Sequence, residues 1–112
     1  MGNRVYVFLE SQDFPNPIAV YAHYAGEDIY EPVASILATT DRIGDSSYLT
    51  AQIINAVFTS LGYDGKLSFG VSAVADPYEA AAWADNPSMY VNLDTGTCQI
   101  GDQHFDRFGT PQ

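Results

Sequence analysis

The chain has 112 residues with 46% hydrophobic and 13% aromatic content, which is ordinary for a folded protein and long enough for one domain, residues 1–112, with its own core. It carries 14 acidic against four basic residues, a formal net charge of −10, and the basic residues are scattered along the chain. Direct binding to nucleic acid or to an anionic membrane is therefore not expected, because both need a basic patch.

Cysteine content and hydropathy bear on the compartment. The single cysteine, Cys98, excludes an intrachain disulfide, and we expect it to be a buried structural thiol. No apolar run approaches the length of a membrane span, and the first residues lack the apolar region of a signal peptide. These features predict a cytoplasmic protein. Its negative charge is consistent with a solvated surface or with attraction to a basic protein partner.

Two strands are expected near the N-terminus. Arg4–Glu10 is rich in Val, Tyr and Phe, which favour strands. The loop 11–17 contains two prolines and cannot continue a sheet ladder, and Ile18–Tyr24 then predicts a second, buried strand. We expect these strands to pair antiparallel, because their connection is too short for a crossover.

Two helices follow. The first begins just after Gly26, with Asp28 as its expected N-cap and Glu31 three residues later in the pattern of a capping box. Asp45 or Ser46 is the expected cap of the second helix, and Gly62 its C-terminal stop. Each helix shows one apolar stripe, formed by Ile29, Val33, Ile36 and Leu37 in the first and by Leu49, Ile53, Val57 and Leu61 in the second.

The second half of the chain predicts three further strands and a short helix. Leu67–Val74 alternates strictly, with Leu67, Phe69, Val71 and Ala73 expected to point inward. Asp76-Pro77-Tyr78-Glu79 has the N-cap, Pro and Glu of a helix start. Strands Ser88–Leu93 and Thr97–Ile100 form a hairpin across Asp94-Thr95-Gly96, and the tail adds an edge segment around 104–108.

The element order β-β-α-α-β-α-β-β predicts an α+β fold, an antiparallel or mixed sheet with the helices packed on one face. Neither long helix has enough apolar surface to be stable alone, so both must bury their stripes against the sheet.

Polar and aromatic residues concentrate where the second strand gives way to the first helix. This set comprises His23, Tyr24, Glu27, Asp28, Tyr30 and Glu31. Tyrosines commonly anchor protein–protein contacts, and carboxylates steer association toward positive charge. The cluster therefore predicts a binding surface for a basic protein partner, which is favoured over an enzyme.

Other interpretations remain open. His23 with its neighbouring acids is also consistent with a small enzyme or a small-ligand-binding protein. Asp94-Thr95-Gly96 matches the aspartic-protease triplet, which needs a second copy, whereas a simple turn accounts for all three residues. An exposed edge strand would permit a homo-oligomeric structural protein. No spacing typical of a metal site or of a nucleotide-binding loop occurs, so no metal and no cofactor are expected.

The first half of the chain resembles a known group of proteins. The opening Met1-Gly2-Asn3-Arg4 and the segment Val20–Gly26 (VYAHYAG) are similar to small uncharacterised phage and bacterial proteins that begin MGNRA and carry (I/V)YLHWNGG before an acidic helix. Tyr24 replaces the Trp of that pattern, and Ala25 its Asn or Gly. The resemblance implies a phage or mobile-element setting and a host cytoplasm. It thereby favours a host-directed binding protein, such as a nucleic-acid-mimicking inhibitor of a defence protein of the anti-restriction or anti-CRISPR type.

Overall fold

The computed structural model describes residues 4–23, 25–62 and 69–112, and it confirms the predicted α+β class. Its strands are β1 (Val5–Glu10), β2 (Ile18–Ala22), β3 (Phe69–Ala73), β4 (Met89–Asn92), β5 (Cys98–Ile100) and β6 (Gln103–Phe105). Its helices are a 3-10 segment (Gly26–Ile29), α1 (Tyr30–Thr39), α2 (Ser46–Leu61) and α3 (Pro77–Ala81). Residues 67 and 68 of the third predicted strand lie outside the described residues. Within the described ranges, no helix is long and apolar enough to cross a membrane.

The strands form one mixed sheet in the order β3-β2-β1-β4-β5-β6. β1 pairs antiparallel with β2, as predicted, and parallel with β4, with Phe8 opposite Tyr90. The other pairs are antiparallel. A parallel pair needs a long crossover, and here the chain from the end of β2 to the start of β4 supplies it.

The core lies between the sheet and the two long helices. The inward side chains of β1, Val5, Val7 and Leu9, are fully buried. The predicted helical stripes meet them: the fully or almost fully buried members are Ile29, Val33, Leu37, Leu49, Ile53 and Val57. We call this side of the sheet the inner face. Packing against the inner face removes the apolar stripes of both helices from water, and this burial is the main favourable contribution to folding.

The short helix α3 belongs to the opposite side, which we call the outer face. It has no buried residue, and its Tyr78 ring lies 5.5 Å from the Tyr90 ring. Tyr90 faces outward, because its neighbours on β4, Met89 and Val91, point into the core. The predicted cap is confirmed, because the Asp76 carboxylate accepts hydrogen bonds from the backbone N–H groups of Tyr78 and Glu79. The prediction of all helices on one face thus holds for α1 and α2.

One local prediction is wrong. Asp28 is not an N-cap: it lies inside the 3-10 segment, which runs directly into α1, and α1 has no side-chain cap. Gly26, at φ +55°, turns the chain into this segment earlier than the capping-box pattern indicates. Val71 points to the inner face as predicted, because it lies opposite Val20, but it is 47% exposed, because β3 is an edge strand.

We predict that Gly96→Ala destabilises the protein more than Gly44→Ala does. Both glycines have positive φ, +78° and +88°, which costs a residue with a Cβ about 1–2 kcal/mol. A Cβ at Gly96 would also lie 2.7 Å from Ile43 Cδ1, whereas one at Gly44 meets nothing within 4 Å. Denaturant unfolding should therefore show a further loss of about 1–3 kcal/mol for Gly96→Ala. Equal losses would contradict the packing of this turn against Ile43.

Candidate functional site

Three exposed carboxylates stand together at the start of the helical layer. Glu27 and Asp28 lie in the 3-10 segment, and Glu31 lies in the first turn of α1. We call these three residues the acidic corner. None of the three carboxylates has a hydrogen-bond or ion-pair partner among the described residues. The corner is therefore a local concentration of charge that the described part of the chain does not neutralise.

Most other carboxylates of the described ranges have structural partners. Some accept hydrogen bonds from backbone N–H or hydroxyl groups and so fix turns and helix starts: Asp13, Asp76, Asp94 and Asp106. Others lie beside arginines: Asp41, Asp45 and Asp85. Glu79 and Asp102 are exposed and lie apart from the corner in the sequence, on α3 and in the β5–β6 turn. Acidity elsewhere on the described surface thus serves mainly to hold the fold together.

The arginines contact other parts of the chain. Arg4 Nε lies 3.2 Å from the Asp85 carboxylate, and Arg42 Nη1 lies 3.2 Å from that of Asp45. Hydrogen bonds from the Arg4 backbone N–H and side chain lower the pKa of Asp85, and the same pairing raises the pKa of Arg4. Arg107 donates through Nη2 to the Thr40 carbonyl at 2.8 Å. None of these contacts reaches the acidic corner.

Tyr30 anchors the corner to the sheet. It is partly buried, and its hydroxyl donates a hydrogen bond to the carbonyl of Pro87, just before β4. Burial, together with the charge of Glu27, raises the pKa of Tyr30. The hydroxyl therefore holds the start of α1 in place. Tyr24, the other tyrosine predicted for this site, lies outside the described residues.

His23 stands at the end of a row of aromatic rings. Its Nδ1 lies 2.7 Å from the Tyr21 hydroxyl, and its ring meets the Tyr21 ring edge-on at 6.0 Å. Within the described ranges, no group of three or more His, Cys, Asp or Glu residues is placed to hold a metal ion. The sequence brings His23 close to Glu27 and Asp28 along the chain, whereas in the structure its ring hydrogen-bonds with Tyr21 and packs against the Tyr21 ring.

The row crosses the outer face of the sheet. Neighbouring ring centroids are separated by 5.0 to 6.0 Å. In order, its members are His23, Tyr21, Tyr6, Phe8, Tyr90 and Tyr78. We call this set the aromatic row. Phe8 in its middle is fully buried, whereas Tyr78 at its end is 74% exposed. In the sequence, the alternation of Tyr6 and Phe8 with the valines of β1 indicates that both faces of this strand are covered.

A polar groove continues the outer face beyond the row. It has a volume of about 200 Å³ and lies where β1 and β4 end beside the β5–β6 hairpin. Its polar and aromatic lining residues are Glu10, Tyr90, Asn92, Thr97, Gln99, His104 and Gln112. We call it the outer groove. Burial raises the pKa of Glu10, and the carboxylate has no hydrogen-bond or ion-pair partner within the described ranges. No local sequence pattern marks Glu10 as a site residue.

Two other candidates from the sequence have structural roles. The Asp94 carboxylate accepts hydrogen bonds from the Ser11 hydroxyl and the Gln12 N–H, both at 2.9 Å, which ties the loop after β1 to the β4–β5 turn. Cys98 is buried as expected, and burial with the nearby charge of Asp106 raises the pKa of its thiol. A raised pKa disfavours the reactive thiolate. The geometry accounts for both residues without catalysis.

Comparison of the chain with protein-family models, with curated proteins and with solved structures gives no match.

We predict that Tyr30→Phe lowers the free energy of unfolding by about 0.5–1.5 kcal/mol, because it removes the hydroxyl that donates to Pro87. Tyr48→Phe is the matched control, since Tyr48 is 60% exposed. Chemical denaturation of both variants measures the difference. If the two variants unfold alike, Tyr30 is not the anchor described here.

We predict that Glu10→Gln stabilises the protein at neutral pH. Because the pKa of Glu10 is raised in the folded state, the folded protein holds this proton more tightly than the unfolded chain, and stability is lost as pH rises through the folded pKa. The amide removes that penalty, so its melting temperature should exceed that of the wild type at pH 7. The gain should vanish below the ordinary carboxyl pKa, where Glu10 is protonated in both states.

The control for this prediction is Glu79→Gln, the same chemical change at an exposed carboxylate. It should give no gain in melting temperature at pH 7. A Glu10→Gln variant that is less stable than the wild type at pH 7 would show that the carboxylate has a stabilising partner.

Proposed function

We propose that the protein is a small protein-binding module that engages a basic protein partner through the acidic corner. The observation that carries the proposal is that Glu27, Asp28 and Glu31 are exposed side by side without partners among the described residues, while most other carboxylates have structural ones. Adjacent like charges on an exposed turn attract positive partners and accelerate their association. They also favour the helix N-terminus, an effect of a few tenths of a kcal/mol that a stability measurement separates from binding.

The setting and the narrower form of this proposal come from the sequence. Resemblance to small phage proteins supports a host-directed role in a host cytoplasm. A net charge of −10 supports a nucleic-acid mimic that occupies the basic groove of a defence protein. In the mimic form, the partner is itself a nucleic-acid-binding protein, and DNA or RNA competes with this chain for the same groove.

The acidic-corner proposal is tested with two variants that change the net charge equally. The corner variant carries Glu27→Gln, Asp28→Asn and Glu31→Gln. The control variant carries Asp41→Asn, Glu79→Gln and Asp102→Asn, all at exposed positions elsewhere. Of these, Asp41 is the one beside an arginine, and its carboxylate comes no closer than 3.9 Å to the arginine nitrogen. Wild type and both variants are immobilised, exposed to bacterial lysate at about 50 mM and about 500 mM salt, and the captured proteins quantified by mass spectrometry.

The expected result is a basic protein retained by the wild type and the control variant at low salt. The same protein should be reduced about tenfold or more on the corner variant, and also at high salt, because screening shortens the reach of exposed charges. Equal losses on both variants would mean that only bulk charge matters, and the proposal would be wrong. Purified partner then separates the two forms: displacement of this chain by DNA or RNA supports the mimic, and its absence excludes it.

A homo-oligomeric role is the second candidate, because one observation favours it. β3 is an edge strand, and Val71 on it is 47% exposed, which is an available surface for strand pairing between copies. Solution mass by light scattering distinguishes the candidates: a dimer that Val71→Lys converts to a monomer supports pairing through β3. The small-ligand alternative centred on His23 is less favoured, because that ring packs at the end of the aromatic row beside Tyr21.

A further inference from the structure

The outer groove is assembled from residues that share one face of the sheet. In β1 and β4, Phe8 lies opposite Tyr90 and Glu10 opposite Asn92. Continuing across the sheet, Tyr90 lies opposite Gln99, and Gln99 opposite His104. The strand register therefore places a carboxylate, an aromatic ring and several polar groups around one cavity of about 200 Å³. These residues come from distant parts of the chain, so the groove exists only in the folded protein.

The unmatched group in this groove is the Glu10 carboxylate. It is partly buried, and no described residue donates a hydrogen bond to it or pairs with it. Removing an ionised carboxylate from water is unfavourable unless a cation or a donor compensates it. The described arginines contact Asp85, Asp45 and Thr40 instead. A ligand that supplies positive charge would satisfy Glu10.

The shape and chemistry of the groove favour a guanidinium group over a compact ammonium. A carboxylate accepts two parallel hydrogen bonds from the planar guanidinium fork, whereas an ammonium group is a point charge without that geometry. Gln99 donates through Nε2 to the Gly101 carbonyl at 2.7 Å, which leaves its amide oxygen as a further acceptor. The volume of about 200 Å³ suits the end of one side chain and is too small for a nucleotide.

We propose that the outer groove is an arginine-binding site, in which Glu10 accepts hydrogen bonds from a guanidinium group. The identification of its natural source as an arginine of the basic partner rests on the proposed function; the site itself does not. The groove opens on the outer face, whereas the acidic corner lies at the start of the helical layer. One partner that contacts both would place an arginine in the groove and further positive charge at the corner.

The test uses arginine blocked at both ends, Nα-acetyl-arginine amide, added to the full 15N-labelled chain and followed by NMR. We expect saturable shifts of the side-chain amide signals of Asn92 and Gln99, with a Kd of about 1 mM, ordinary for a fragment of this size. The equivalent blocked lysine should bind at least about threefold more weakly, because it lacks the planar fork. Absence of saturable shifts, or equal binding of the lysine probe, would overturn the proposal.

Variants then assign the site. Glu10→Gln should weaken the arginine probe by about tenfold or more while the chain stays folded, with the amide spectrum as the check on folding. Glu79→Gln, the matched control, should bind as the wild type does. Unchanged affinity in Glu10→Gln would overturn the assignment. The corner variant should also bind the probe normally, so loss of the partner at the corner and loss of the probe in the groove are separate results.

Discussion

Burial of β1 on both of its faces is the constraint on which the rest of the structure depends. The inward residues Val5, Val7 and Leu9 meet α1 and α2, and the outward Phe8 is also fully buried, with its ring stacked between those of Tyr6 and Tyr90. β1 is hydrogen-bonded on both edges, antiparallel to β2 and parallel to β4. β4 also combines both kinds of pairing, but β1 contributes more fully buried side chains than any other strand of the described sheet.

This arrangement separates the surfaces that we connect with binding. Val5 pairs with Ala22, the last residue of β2 before the acidic corner, whereas Glu10 stands at the other end of β1. Five residue steps of about 3.3 Å place the two ends roughly 17 Å apart along the strand. The backbone at Glu10 is held by a 2.8 Å hydrogen bond from the Leu93 N–H. The groove is thus built on a rigid element, which reduces the entropy lost when a ligand binds.

The sequence predicts those features whose causes are local. Apolar periodicity identifies both long helices, and Asp76 and Gly62 mark helix ends through their own backbone chemistry. The parallel pairing of β1 with β4 joins residues about 80 positions apart, and no short pattern encodes it. The same separation along the sequence explains why no local pattern marks Glu10, because the strands that desolvate it follow much later in the chain. The exposure of Val71 likewise depends on its strand lying at the edge of the sheet, which alternation alone does not show.

Native-state hydrogen exchange tests the central role of β1 most directly. Amides of a segment that opens only with global unfolding exchange with the full free energy of unfolding, whereas those of edge segments exchange through local opening. The account predicts that the amides of Val7, Phe8 and Leu9 are the slowest in the chain, with those of the edge strands β3 and β6 markedly faster. If β3 or β6 proves as protected as β1, or if β1 exchanges through local opening, the account of a sheet organised around one doubly buried strand is contradicted.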